Sequence, residues 1–201
     1  EIHERLVGSE MCIRDREAYE MIQEAFEYSE KYGTPVFLRP TTRVCHGYAS
    51  IMVKDETEYT HHQPEGFIKD SKRWVIFPRL SFMNHKKIEA RNQELSDIFS
   101  SYEKNTIHPS CDAFKDSKKG IATGGISYTY TMETLKKTGM VKTLKIATPH
   151  PFPEKLAVDF LSGLDEVLCL EELDPVIERE LIYICGKYHL PTRINGKLSG
   201  H

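Results

Sequence analysis

Two guanidiniums, two hydroxyls, a thiol and an imidazole fall within the stretch Arg39 to His46, directly after the apolar run Val36-Phe37-Leu38. A continuous apolar run is the pattern of a strand covered on both faces, and ligands of open α/β sheets gather at the carboxyl ends of strands. Such a set could do two kinds of chemistry. A thiol beside a base can act as a nucleophile, and paired arginines can hold a carboxylate or phosphate. Neighbouring residues on a strand point to opposite faces, so Cys45 and His46 do not form a catalytic pair by adjacency, and a half-buried thiol at a strand end is the plainer account. Arginines in this position also serve as salt bridges between domains.

Other stretches carry weaker signals. Thr123-Gly124-Gly125-Ile126-Ser127 sits where a dinucleotide loop would, but lacks the G-x-G-x-x-G spacing and any following P-loop Lys-Ser/Thr; it reads as a tight strand-to-helix turn. Glu171-Glu172-Leu173-Asp174 places three carboxylates beyond a strand, with Asp174 explained as a helix cap. His61-His62 lacks metal-ligand spacing. From Lys69 to Arg91 seven basic residues face only Asp70 and Glu89, a local +5 that reads as a solvated face or as a contact for a nucleotide phosphate.

The elements that must position these groups are legible in outline. With 201 residues, 39% hydrophobic and 28% charged, the chain is long enough for a real core, and its net charge of −3 gives no general attraction to nucleic acid or membranes. Five separated cysteines with no C-x-x-C pair argue for reduced thiols in a cytoplasmic protein and against a zinc ribbon or an iron–sulfur cluster held by this chain alone. Leu6 to Arg16 shows neither helical nor strand periodicity, so residues 1–16 are set aside as a non-native or scar segment. The first residue is Glu1 rather than Met, and a piece of a longer protein is expected.

Apolar residues at three- and four-residue spacing predict a helix over Glu17 to Tyr32, closed by Gly33, followed by a strand over Val36 to Leu38. A polar connector follows, with a helix from about Asn84 to Lys104. From Lys118 the alternation becomes regular. Strands are expected over Gly120–Ile126, Val141–Ala147, Glu166–Leu170 and Thr192–Asn195. The intervening helices are a first capped by Ser127 and running to Lys137, a second over Glu154–Leu164, and a third from the Asp174-Pro175 cap to Tyr188. Units of this length imply an α/β fold with a mostly parallel sheet.

Three stretches together resemble the thiamine-diphosphate-carrying α subunit of the indolepyruvate:ferredoxin oxidoreductases. They are Leu38-Arg39-Pro40-Thr41-Thr42-Arg43-Val44-Cys45-His46, Ala122-Thr123-Gly124-Gly125-Ile126-Ser127-Tyr128, and Val167-Leu168-Cys169-Leu170-Glu171-Glu172-Leu173-Asp174-Pro175 followed by Ile177-Glu178. The resemblance runs from about Glu17 to Gly200 and implies an internal fragment. Residues 17–53 would be the last helix and strand of a thiamine-binding (pyrimidine) domain, 54–117 an inter-domain connector, and 118–201 a transketolase C-terminal-like domain. It implies a parent enzyme that decarboxylates aryl 2-oxoacids oxidatively to acyl-CoA, with thiamine diphosphate, Mg²⁺ and 4Fe-4S clusters, a β subunit, and ferredoxin as electron acceptor. The thiamine-activating acid, the metal motif and the cluster ligands would lie outside this chain, so the fragment alone is expected to bind no cofactor and to be inactive. Thr42, Arg43 and His46 remain as binding or domain-junction residues. Pro40 and Gly47-Tyr48 stand where the family pattern leads one to expect Thr and Ser-Arg, which bears on substrate range. A related 2-oxoacid oxidoreductase of other range, or a non-catalytic α/β docking module, are the alternatives.

Overall fold

The computed structural model describes residues 9–40, 42–48, 50–59, 63 and 66–200. The chain divides into two compact units, Glu1–Arg91 and Asn92–His201.

In the first unit, helix α1 (Ser9–Tyr32) carries the predicted amphipathic stretch and begins upstream of Glu17, inside residues set aside as non-native. It closes at Gly33, whose φ of +56° suits a residue without Cβ. The Arg91 guanidinium completes this end by donating from Nη1 to the carbonyls of Tyr32 and Gly33 at 3.4 and 3.2 Å, where the helix dipole favours a cation. The strand expected over Val36 to Leu38 does not form: these residues join no ladder, and Phe37 is 89% exposed. An apolar run becomes a strand only where neighbouring strands take up its N–H and C=O groups. Two one-turn helices follow, α2 (Thr42–Cys45) and α3 (Ser71–Trp74), the latter capped by the Asp70 side chain, which accepts from the Lys72 amide at 2.9 Å. Helix α4 (Pro78–Phe99) starts on a proline at its first position and carries the unit boundary between residues 91 and 92. His61 and His62 lie outside the described residues.

The second unit is a five-stranded mixed sheet. In chain order it contains β1 (Thr106–His108), β2 (Lys119–Gly124), helix α5 (Gly125–Thr138), β3 (Lys142–Ile146), α6 (Glu154–Leu161), β4 (Glu166–Leu170), α7 (Val176–Tyr188) and β5 (Arg193–Asn195). The strands lie in the order β1-β3-β2-β4-β5, with β1 antiparallel to β3 and the other pairs parallel. From β2 the chain steps to β3 on one side and then returns across β2 to β4 on the other. The topological switch point therefore lies between the carboxyl ends of β2 and β4.

Period-two alternation sorts the strand residues by face. Ala122, Leu144, Ile146, Val167 and Cys169 share one face and cluster with Phe160, Leu161, Leu164, Ile177, Leu181 and Ile184 from α6, the turn after it and α7. Each fully buried Leu, Ile or Phe of this kind contributes about 1.5–3 kcal/mol. Tyr128 at the start of α5 lies against the opposite face, packed beside His108 and Lys145. Among the described residues, no helix is long and apolar enough to cross a membrane.

The end of α4 is tied to this sheet by two side chains from the stretch expected to be a connector. Ser96 donates from Oγ to the Phe152 carbonyl at 2.6 Å. Asn105 donates to the carbonyl of Phe99 at 2.9 Å and to Thr148 Oγ1 at 2.6 Å, and its Oδ1 accepts from the amides of Ala147 and Thr148 at 2.7 and 3.2 Å. Replacing Asn105 by Ala strands two backbone amides and a carbonyl, and should lower stability by about 2–3 kcal/mol in urea unfolding. An unchanged midpoint would show that the tie contributes nothing.

Candidate functional site

The reactive stretch expected at a strand end is instead a single helical turn. Within α2 the His46 amide donates to the Thr42 carbonyl at 3.1 Å, and the Cys45 thiol points back to the Pro40 carbonyl at 3.9 Å. Thr42, Cys45 and His46 are exposed, whereas Thr41 and the side chain of Arg43 lie outside the described residues. Successive side chains on a helix diverge by roughly 100°, so Cys45 and His46 do not converge on a common reacting atom. Among its described side chains, Thr42, Cys45 and His46 face outward and enclose no site.

At the switch point of the sheet, polar groups do converge, and they are used to hold backbone. The Thr123 hydroxyl, fully buried, donates to the Leu170 carbonyl at 2.8 Å and so joins β2 to β4 at their carboxyl ends. Gly124 occupies the N-cap of α5, which starts without a side-chain cap, and Gly125 takes φ +56°. Ser127, expected as that cap, lies inside the first turn, where its carbonyl accepts from the Thr131 hydroxyl at 2.8 Å. A Cβ on Gly124 would stand 2.6 Å from the Ile146 carbonyl oxygen and 3.3 Å from Ile177 Cδ1, so the turn is packed against β3 and α7.

The acidic stretch after β4 is resolved in the same way. Glu171, not Asp174, caps α7: its Oε1 and Oε2 accept from the amides of Ile177 and Glu178 at 2.7 and 3.0 Å. Glu172 and Asp174 are exposed. Glu178, 1% exposed, accepts the Leu198 amide on both carboxylate oxygens, at 3.2 and 3.1 Å, and a Cβ on Gly196 would meet it at 2.6 Å. Burial, reinforced by Glu171 and Glu178, pushes the Cys169 thiol far above its ordinary range, and burial also raises Cys185, so both thiols are held protonated.

A titratable cluster that no sequence motif singles out lies on the α5 side of the sheet. His108 Nε2 is 3.0 Å from the Tyr128 hydroxyl and 3.2 Å from Thr106 Oγ1, the His108 and Tyr128 rings stack with centroids 5.8 Å apart, and Lys145 Nζ sits 5.1 Å from the Tyr128 ring centre. The imidazole pKa is lowered, first by burial and second by Lys145. With its proton on Nδ1, the neutral ring accepts the Tyr128 hydroxyl at Nε2. Thr106 lies opposite Lys145 and His108 opposite Thr143 in the antiparallel β1–β3 register, a pairing of residues far apart in sequence.

The described residues do not by themselves build a site for thiamine diphosphate or a metal. The glycine turn is filled by neighbouring backbone, the Glu171 carboxylate is occupied by two amides, and no three His, Cys, Asp or Glu side chains among the described residues form a group able to hold a metal.

No family model matches the chain. It is similar to the "indolepyruvate oxidoreductase subunit IorA" of Methanothermobacter thermautotrophicus, with 35% identity over 187 residues that cover 92% of this chain and 29% of that subunit. The subunits of the same description from Pyrococcus abyssi and Thermococcus kodakarensis are 34% and 35% identical, each match covering 90% of this chain and 28% of the relative. The chain therefore spans somewhat less than a third of the relatives it matches.

Because folding favours the neutral imidazole of His108, stability is full above its ordinary value of 6.5 and falls as pH drops below it, through the depressed folded pKa. The loss of stability from pH 7 to pH 5 should be smaller in His108→Gln than in the unchanged chain. Equal slopes in the two chains would contradict this assignment.

Proposed function

We propose a function from one premise, that this chain belongs to the IorA family of indolepyruvate oxidoreductase subunits as a segment of such a subunit: its role is structural within a 2-oxoacid oxidoreductase. The parent enzyme decarboxylates aryl 2-oxoacids such as indolepyruvate oxidatively to the acyl-CoA and passes the electrons to ferredoxin. The observation that carries the proposal is identity of 34–35% sustained over nearly the whole chain. The mostly parallel sheet with its Thr123-Gly124-Gly125 turn supports a transketolase C-terminal-like assignment for residues 118–201.

In this proposal residues 17–53 close the pyrimidine-binding domain and residues 54–117 connect it to the sheet domain. Thiamine diphosphate supplies carbanion stabilisation when bound to the parent subunit, which also carries Mg²⁺ and 4Fe-4S clusters, and a β subunit completes the cytoplasmic enzyme. All of these are held by residues outside this chain. What the chain itself contributes is a rigid scaffold: Glu171 and Glu178 fix the loops after β4 and β5, and Thr123 locks the switch point. Thr42, Arg43 and His46 serve as binding or junction residues, consistent with the exposure of Thr42 and His46. Pro40 and Gly47-Tyr48, which depart from the family pattern, favour a second reading in which the parent oxidises a 2-oxoacid of different side chain.

The test is an assay of the enzyme reconstituted from the full-length subunit and its β partner. It should show CoA-dependent reduction of ferredoxin by indolepyruvate, lowered about tenfold or more by Arg43→Ala with His46→Ala. The 201-residue chain supplied with thiamine diphosphate, Mg²⁺ and CoA should show no turnover. Lack of turnover of any 2-oxoacid by the complex, or turnover by the chain alone, would overturn the reading.

A further inference from the structure

All the buried hydrophobic residues among those described, from Leu95 to Ile184, belong to the second unit, and the first has none. Its large apolar side chains lie open along the unit, at Phe37, Tyr48 and Met52 for example, and seven of them fall within residues 67–82. Phe67 is 72% exposed, Ile76 76%, Phe77 65% and Phe82 59%, with Ile68 and Trp74 also open. Large apolar side chains left open together in one short stretch of this kind mark an interface. Local contacts do not account for it: the Trp74 indole donates to the Ile68 carbonyl at 2.9 Å and tilts against Phe67, yet all three side chains stay exposed.

The surroundings of this surface specify what covers it. Lys69, Lys72, Arg73 and Arg79 lie within the same stretch against the single acid Asp70, and Lys86 and Lys87 follow it, so the charge favours a complement with an apolar centre and a carboxylate rim. The same stretch occurs within subunits more than three times as long as this chain, since the matches take in 90–92% of its residues but only 28–29% of each relative.

We propose that residues 67–82 form an internal interface of a longer IorA-type subunit, covered by an acidic-rimmed apolar surface that the rest of that subunit supplies. The proposal rests on the family reading above and adds a location to it. In a complete subunit these side chains are core, and the first unit acquires its apolar packing from polypeptide outside the matched third.

Site-resolved maleimide labelling tests this, with Phe82→Cys and, in case that change disturbs α4, Ile76→Cys in the exposed turn before it. Each is placed both in the 201-residue chain and in the full-length subunit. The expected result is rapid labelling in the short chain and labelling slowed about tenfold or more in the full-length subunit, since a buried thiol reacts only through opening. Equal labelling rates in the two would overturn the proposal. So would protection of the short chain that grows with its own concentration, which assigns the surface to a second copy, or protection by anionic vesicles, which assigns it to a membrane surface. Indolepyruvate oxidation by the complete enzyme is measured on the same preparations. Activity with a freely labelled thiol at position 82 refutes the interface alone, and protection without activity refutes the functional reading alone.

Discussion

The second unit depends on the bareness of its central strand. β2 is hydrogen-bonded on both sides, to β3 and to β4, and it carries glycine at two positions on the face that meets α6 and α7. A Cβ at Gly120 would stand 2.7 Å from Leu164 Cδ1 and 2.9 Å from Phe160 Cζ, and one at Gly124 would strike the Ile146 carbonyl at 2.6 Å. Neither position needs an unusual φ; what they need is absence of bulk. Because the strand is flat there, Phe160, Leu161 and Leu164 can close over it, and the chain can leave β2 through a tight turn into α5. The packing that makes the turn possible also fills it, which is why a site in the position of a nucleotide loop holds no cradle for phosphate.

Polar residues of the second unit, those with a candidate catalytic reading included, are thus mostly committed to backbone. Of the candidates, Glu171 satisfies the orphan amides of α7 and Thr123 zips two strands; beside them, Glu178 pins the loop after β5 and Lys142 donates to the carbonyls of Asp159, Phe160 and Ser162 where α6 ends. The Lys142 ammonium is held below its ordinary pKa, chiefly by burial, a cost that its three carbonyl contacts offset. Ties of this kind fix the loops after β4 and β5 and the end of α6 against the sheet.

Much of the second unit is legible in the sequence because strand and helix periods alternate cleanly. Glu166–Leu170 agrees to the residue, and the other parallel strands and their helices to within a few. The differences have physical causes. β1 has only three residues and is fixed by its ladder to Leu144 and by Asn105, signals invisible in local sequence. Asp174 and Ser127 have good capping chemistry but lose to Glu171 and Gly124, because three-dimensional approach and not sequence proximity decides which group reaches the free amides. Val36-Phe37-Leu38 has strand composition without strand neighbours. The Tyr128–His108–Lys145 cluster leaves no local signal, since its members come from three separate elements.

The two units are thereby unequal: one folds on its own core, and the other holds helices whose apolar side chains lie open. Amide hydrogen exchange on the 201-residue chain measures this directly. Slow exchange is predicted for β2, β3, β4, α6 and α7, and exchange faster by orders of magnitude through residues 17–91. Equal protection of both units would contradict this inequality, because it would show that the first unit is stable without any further polypeptide to cover Phe77 and Phe82.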